Sequence, residues 1–144
     1  MESTISVQFC TEGSEMPRYA HEGDAGVDLY AACDLELGPF ERALIPTGLR
    51  LAIPKGYAGF VLPRSGLAIS RGLSLVSPGL IDSNYRGEIA LVAINLDPTE
   101  TIQIKKDDRV AQLVVMKVEE IAFQRCEGLD DTPRGENGFG SSGL

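Results

Sequence analysis

Apolar residues in this chain recur at every second position, and that spacing limits what it can fold into. Ile5, Val7 and Phe9 alternate with their neighbours, as do Val27, Leu29 and Ala31, then Leu49, Leu51 and Ile53, then Ile102 and Ile104. Successive side chains of an extended chain point to opposite faces, so each run predicts a strand with one face buried. Val110, Leu113 and Val115 mark another. The run IALVAINL, residues 89–96, is apolar on both faces and predicts a central strand between two layers. Gly38-Pro39, Pro54-Lys55-Gly56, Pro78-Gly79 and Asp97-Pro98 separate the runs as turns. Many short strands with such punctuation predict an all-β domain: a sandwich, a jelly roll or a barrel. One stretch departs from the pattern. In PRSGLAISRG, residues 63–72, Ser65 predicts an N-cap, Leu67, Ala68 and Ile69 a short helix, and Gly72 its stop.

At 144 residues the chain predicts one domain. Its formal charge of −8 argues against a nonspecific binder of nucleic acid or anionic membrane, so neither partner is expected. The start, MESTISVQF, has no basic region followed by an apolar one, so no signal peptide is expected. No apolar run approaches the roughly 20 residues that span a bilayer. Cys10, Cys33 and Cys126 lie far apart and form no C-x-x-C pair, which reads as scattered reduced thiols in a cytoplasmic protein. The one histidine, His21, removes more. A Ser-His-Asp triad or a Cys-His pair would have to use it, and a histidine-rich zinc site is excluded. Its setting, YAHEGDAG, reads as a solvated loop. Any catalysis must then rest on carboxylates, Arg, Tyr, Ser and backbone N–H groups, with or without a hard metal ion.

Five stretches carry groups suited to such chemistry, each with an ordinary alternative. PRSGLA sets Arg64, Ser65 and Gly66 at the start of the short helix, an anion site in outline or a capped turn with a surface arginine. GLIDSNYRGEI reads as a β-hairpin, with Leu80 and Ile81 buried before a polar tip of Asp82, Asn84, Tyr85 and Arg86. Such tips are usually solvated, yet Asp82 beside an apolar pair fits a partly buried carboxylate, and Tyr85 a platform for a sugar or base. In AGVDLYAA, Asp28 points opposite to Val27 and Leu29, toward solvent or toward a site. DDRVAQL clusters Asp108, Arg109 and Gln112 at a strand start, by default a surface charge cluster. GFGSSG near the end matches the G-x-G-x-x-G string, but no helix can follow it, so a dinucleotide fold is rejected. Its glycines can still wrap backbone N–H groups around phosphate, with Arg134 and Phe139 beside them; the plain alternative is a frayed end or a linker.

In order and spacing the five stretches resemble the motifs of the homotrimeric dUTPases: AGVDLYAA (25–32), PRSGLA (63–68), GLIDSNYRGEI (79–89), DRVAQL (108–113) and RGENGFGSSG (134–143). The resemblance implies a jelly-roll-like antiparallel β barrel or sandwich over residues 1–133, with one short helix. It implies a C-terminal Gly-rich arm, 134–144, that closes over a neighbouring subunit's site in a trimer. It also implies hydrolysis of dUTP to dUMP and pyrophosphate by water attack at the α-phosphate, with Mg²⁺ on the triphosphate. Asp82 matches the carboxylate that activates the water, and Tyr85 the aromatic under the deoxyribose that excludes a 2′-hydroxyl. Asp28 matches the aspartate that supports the arginines and, through water, the metal. Arg64, Ser65 and Gly66 match phosphate binders, and Gln112 the glutamine near the α-phosphate. Arg134 matches the arginine at the γ-phosphate, Phe139 the cover over the uracil, and Gly140, Ser141 and Ser142 the phosphate wrap. One departure concerns the base. Many members carry an asparagine shortly before the third-motif glycine to read uracil, whereas this chain has Val76 and Ser77 before Pro78. Base reading then falls to backbone groups near Gly79. A dCTP deaminase-like enzyme is the rival reading, but the Asp-x-x-Tyr of the third motif and the full Gly-rich arm speak against it. A noncatalytic nucleotide-sensing or protein-binding module on the same scaffold is a second rival; it would be expected if catalytic positions were lost, yet Asp28, Asp82 and Gln112 are all present.

Overall fold

A computed structural model of the chain describes residues 4–13, 16–77 and 79–143. Among them the alternating runs form strands β1 (Gln8–Thr11), β2 (Val27–Tyr30), β3 (Leu35–Leu37), β4 (Arg42–Ala52) and β5 (Tyr57–Leu62). After helix α1 (Ser65–Arg71) come β6 (Leu73–Ser77), β7 (Leu80–Ile81), β8 (Glu88–Asn95), β9 (Ile102–Ile104) and β10 (Arg109–Lys117). Two four-stranded sheets have the orders β1-β4-β8-β6 and β2-β10-β5-β7, and β3 pairs with β9 as a separate ribbon. Every pairing is antiparallel. Both sheets and the ribbon turn side chains into one core, from Leu29, Val61 and Leu113 on one side to Ile45, Leu51 and Leu91 on the other, with Leu37 and Ile102 between. This is the jelly-roll-like, all-β architecture that the spacing and the resemblance predict.

Several local expectations change. β8 is central, but only its Ile89, Leu91, Ala93 and Asn95 face is buried; Val92 on the other face is 37% exposed, beside Leu44 at 63%. The second layer expected over that face is not supplied by the described residues. Val7 packs on the core, whereas Ile5 and Phe9 are exposed, because β1 is a short edge strand that begins only at Gln8. Residues 79–89 are not a hairpin. β7 pairs with β5, β8 pairs with β4 and β6, and the polar stretch between them crosses from one sheet to the other. On that edge Leu80 is 61% exposed rather than buried. Ser65 is not the N-cap. Arg64 holds the extended conformation before α1, with no side-chain cap bond, so Ser65 already lies in the first turn. Gly72 ends α1 as expected, at φ 73°, a conformation that disfavours a Cβ. Pro78 of one expected turn lies outside the described residues.

The buried polar residue Asn95 ties the ribbon to the sheet. Its Nδ2 donates to Leu37 O at 2.9 Å and to Glu100 O at 2.8 Å, and its Oδ1 accepts the Asp97 N–H at 2.8 Å. Asp97 in turn accepts the N–H groups of Glu100 and Thr99, which hold its carboxyl below the ordinary value. Removing a partner from a buried carbonyl costs about 1–3 kcal/mol. Asn95→Ala is therefore expected to lower the unfolding free energy by roughly 2–4 kcal/mol in urea denaturation; a loss below about 1 kcal/mol would contradict this role.

Candidate active site

β10 runs between β2 and β5 and sets the site's frame. Gln112 stands opposite Asp28 on one neighbour and Leu62 on the other. Paired residues share a face, so all three side chains form one row across the sheet, about 4.8 Å from strand to strand. Leu29 is buried on the core side, and Asp28 points the other way, its side chain 13% exposed. Gln112 Nε2 donates to Pro63 O at 3.1 Å, which ties the row to the turn entering α1. At Gly26 a Cβ would stand 3.2 Å from Gln112 Oε1, so the glycine leaves the glutamine its room.

A bulge brings in a second arginine. Between Arg109 and Ala111 the β10–β2 register shifts, so that Arg109 pairs with Tyr30 and Ala111 with Leu29. In a regular ladder Arg109 would fall on the core side with Leu29 and Ala31. The extra residue moves it to the Asp28 side, while Val110 and Ala111 are both buried in succession. Arg109 Nη1 then lies 3.6 Å from Asp28 Oδ2, and Arg64 Nε 3.7 Å from Asp28 Oδ1. Arg64 Nη1 also donates to Arg109 O at 3.2 Å. One carboxylate thus keeps two guanidinium groups side by side. Pairs this exposed contribute only about 0–1 kcal/mol to folding, so the cluster's value lies in what it presents.

Asp28, Arg64, Ser65, Gly66 and Gln112, all singled out from the sequence, line one open cleft of about 410 Å³. Arg109, His21 and Asp24 line it too, although the sequence alone suggested surface charge and a solvated loop. Asp24 Oδ2 accepts the His21 backbone N–H at 2.9 Å. The other candidates are not part of this cleft. Ile81 pairs with Gly59, three residues before Leu62, so Asp82 falls roughly 13 Å away along the strand at about 3.3 Å per residue. Asp82 is exposed, and so is Tyr85, at 43%. Gly79 lies beside β5, its carbonyl accepting the Val61 N–H at 2.8 Å. The arm's substrate-binding candidates are all exposed. Arg134 Nε donates to the nearby Asn137 O at 2.9 Å, and Phe139, Gly140, Ser141 and Ser142 face solvent.

The chain matches the family model described as dUTPase over residues 12–143. It is 54% identical to the deoxyuridine 5'-triphosphate nucleotidohydrolase of Cutibacterium acnes over 130 residues, which is 90% of this chain and 86% of the relative. It is 51% identical to that of Mycolicibacterium vanbaalenii over 149 residues, 99% of this chain and 97% of the relative. Its fold is similar to that of a mutant Staphylococcus bacteriophage 80alpha dUTPase solved with dUpNHpp (TM-score 0.88, 29% identity, 98% of this chain and 100% of the other). It is also similar to a mutant dUTPase from phage phi11 of S. aureus, described for its coordination of a structural Mg(II) ion (TM-score 0.79, 26% identity, 86% and 98%).

The paired guanidinium groups predict a polyphosphate site. A charged hydrogen bond is worth about 1.5–3 kcal/mol. Arg64→Ala and Arg109→Ala should each weaken binding of inorganic tripolyphosphate by about tenfold or more in calorimetric titration. Lys55→Ala, at a turn outside the cleft, should leave it unchanged. Equal affinity in all three variants would remove the cleft from this role.

Proposed function

We propose that this chain, which belongs to the dUTPase family, hydrolyses dUTP to dUMP and pyrophosphate by attack of water on the α-phosphate. The reaction limits uracil incorporation into DNA and supplies dUMP for thymidylate synthesis. The observation that carries the reading is the convergence of Asp28, Arg64, Ser65, Gly66 and Gln112 from three separate motifs on one cleft.

Charge counting indicates what the cleft still needs. Arg64 and Arg109 are offset by Asp24 and Asp28, so one chain's cleft is close to neutral. A triphosphate requires more positive charge than that. Arg134 is the further cation we assign to it, together with Mg²⁺. Asp28 offers the hard oxygen donors that Mg²⁺ prefers, but each of its oxygens already stands near a guanidinium. The arrangement fits a metal held by the phosphates and reached from Asp28 through water. Bound there, Mg²⁺ would neutralise phosphate charge.

The protein groups divide the remaining work. Arg64, the Ser65 hydroxyl and the Gly66 backbone hold phosphate oxygens, and Gln112 lies near the α-phosphate. Asp82 orients the water and takes its proton. Carboxylates are feeble bases toward water, so positioning and charge neutralisation must lower most of the barrier. Tyr85 supports the deoxyribose. Phe139 covers the base while Gly140, Ser141 and Ser142 wrap the phosphates, and closure of arm 134–144 over the β domain, 1–133, excludes bulk water.

These roles require more than one chain, because Asp82 and Tyr85 stand apart from the cleft. We assign the site to the interfaces of a homotrimer. The uncovered face with Leu44 and Val92 supports assembly, as does the exposed stretch after β10, where Ile121, Phe123 and Leu129 have no core of their own. The three exposed free cysteines accord with a reducing cytoplasm. No helix among the described residues is long and apolar enough to cross a membrane.

Selectivity tests the reading. One methyl group in a tolerant pocket is worth only about 1–3 kcal/mol, so rejection of thymine needs a rigid clash at C5. Rejection of cytosine needs mismatched hydrogen bonds at C4. Offered dUTP, dCTP, dTTP and UTP with Mg²⁺, the protein is expected to release pyrophosphate from dUTP alone. Ammonia released from dCTP would instead indicate the deaminase.

A further inference from the structure

Gly87 is a glycine for want of space rather than for backbone freedom. It is not among the glycines with positive φ. A Cβ built on it would fall on the Tyr85 hydroxyl, 2.6 Å from Tyr85 Cζ and 2.9 Å from Cε1. The phenol ring therefore lies across the Gly87 α-carbon, in the space a side chain would fill. Both ends of Tyr85 are held. Its hydroxyl donates to Glu88 O at 2.8 Å, and its backbone N–H donates to Asp82 O at 3.1 Å. The tyrosine, the aspartate and the glycine form one short unit at the crossing between the sheets.

We propose that Gly87 is a positioning residue for substrate selection: its missing side chain sets the height of the Tyr85 ring and thereby its rejection of a 2′-hydroxyl. The inference rests on the reading of this site as a dUTP hydrolase and adds a determinant to it. Carbon atoms pack at about 3.5–4.0 Å, so an alanine at 87 must drive the ring away by roughly 1 Å. The ring is the far end of a side chain with two free torsions, so it can move without unfolding the chain. It then loses its bond to Glu88 O. A displacement of about 1 Å suffices to change a rate by up to about 100-fold. The effect falls on discrimination because the ring touches the sugar, not the reacting phosphate.

The test pairs Gly87→Ala with Tyr85→Ala. In Gly87→Ala, NMR of the free protein should show the Tyr85 ring resonances shifted while the other tyrosines stay in place. The ratio of kcat/KM for dUTP to that for UTP should fall about tenfold or more, with Tm little changed. In the Tyr85→Ala background the same substitution should produce no further fall, because no ring remains to be moved. An unmoved ring, an unchanged ratio in Gly87→Ala, or an equal fall in both backgrounds would overturn the proposal. A wild-type protein that leaves dUTP intact would defeat the functional reading instead, and the ring shift would still decide whether Gly87 positions Tyr85.

Discussion

The cleft depends on one extra residue in β10. The strand holds β2 and β5 in register, and its bulge between Arg109 and Ala111 switches which face the chain presents. Below the bulge Gln112 faces the cleft with Asp28 opposite. Above it Arg109 faces the same way, a position that strict alternation would give to the core. The two buried neighbours, Val110 and Ala111, fill that side instead. Asp28 then sits between two arginines whose mutual repulsion would otherwise push them apart. The sheet supplies this geometry through backbone pairing, so the weak ion pairs need not hold it together.

What the frame does not do is equally informative. β5 carries Leu62 at the cleft and Gly59 opposite Ile81, so the strand itself separates Asp82 from Asp28. Both lie along one rigid sheet, and side-chain rotation cannot close a gap of roughly 13 Å. The near balance of charge in the cleft points the same way. A polyanion finds two arginines and two aspartates there, and Arg134, the cation we propose to shift that balance, lies on an exposed arm. Apolar side chains after Lys117 and on the outer face of β8 remain uncovered in one chain. Chemistry, charge and apolar surface are each left incomplete by the single subunit, and the shared site we propose would complete all three.

Much of this was legible in the sequence. Alternation identified the strands at Val27, Leu49 and Ile102, and Gly72 marked the end of the helix. The five motifs carried the family, and three of them carried residues into the same cleft. Arg109 reads as surface charge in the sequence because charged residues clustered at a strand start are by default solvated, and the local pattern does not show that Asp28 lies on the neighbouring strand. A signal was present: Val110 and Leu113 are three apart, and a step of three inside a period of two marks a bulge. The expected hairpin at 79–89 failed for a different reason. Local pattern shows where strands begin, but not which sheet each one joins, and β7 and β8 join different sheets. The second layer over β8 was expected because Ala90, Val92 and Ile94 are apolar. Such a pattern records burial without saying whose chain provides the cover.

The central claim is that Asp28 and Asp82 act in one site but come from different chains. It is tested by mixing two variants, Asp28→Asn and Asp82→Asn, after denaturing and refolding them together. Each alone should be nearly inactive toward dUTP. In mixed trimers some interfaces pair an intact Asp28 from one chain with an intact Asp82 from another, so pyrophosphate release should return to a substantial fraction of the wild-type rate. If the mixture stays as inactive as its parents while mass measurement shows that mixed trimers have formed, both carboxylates belong to one chain's site and the account is wrong.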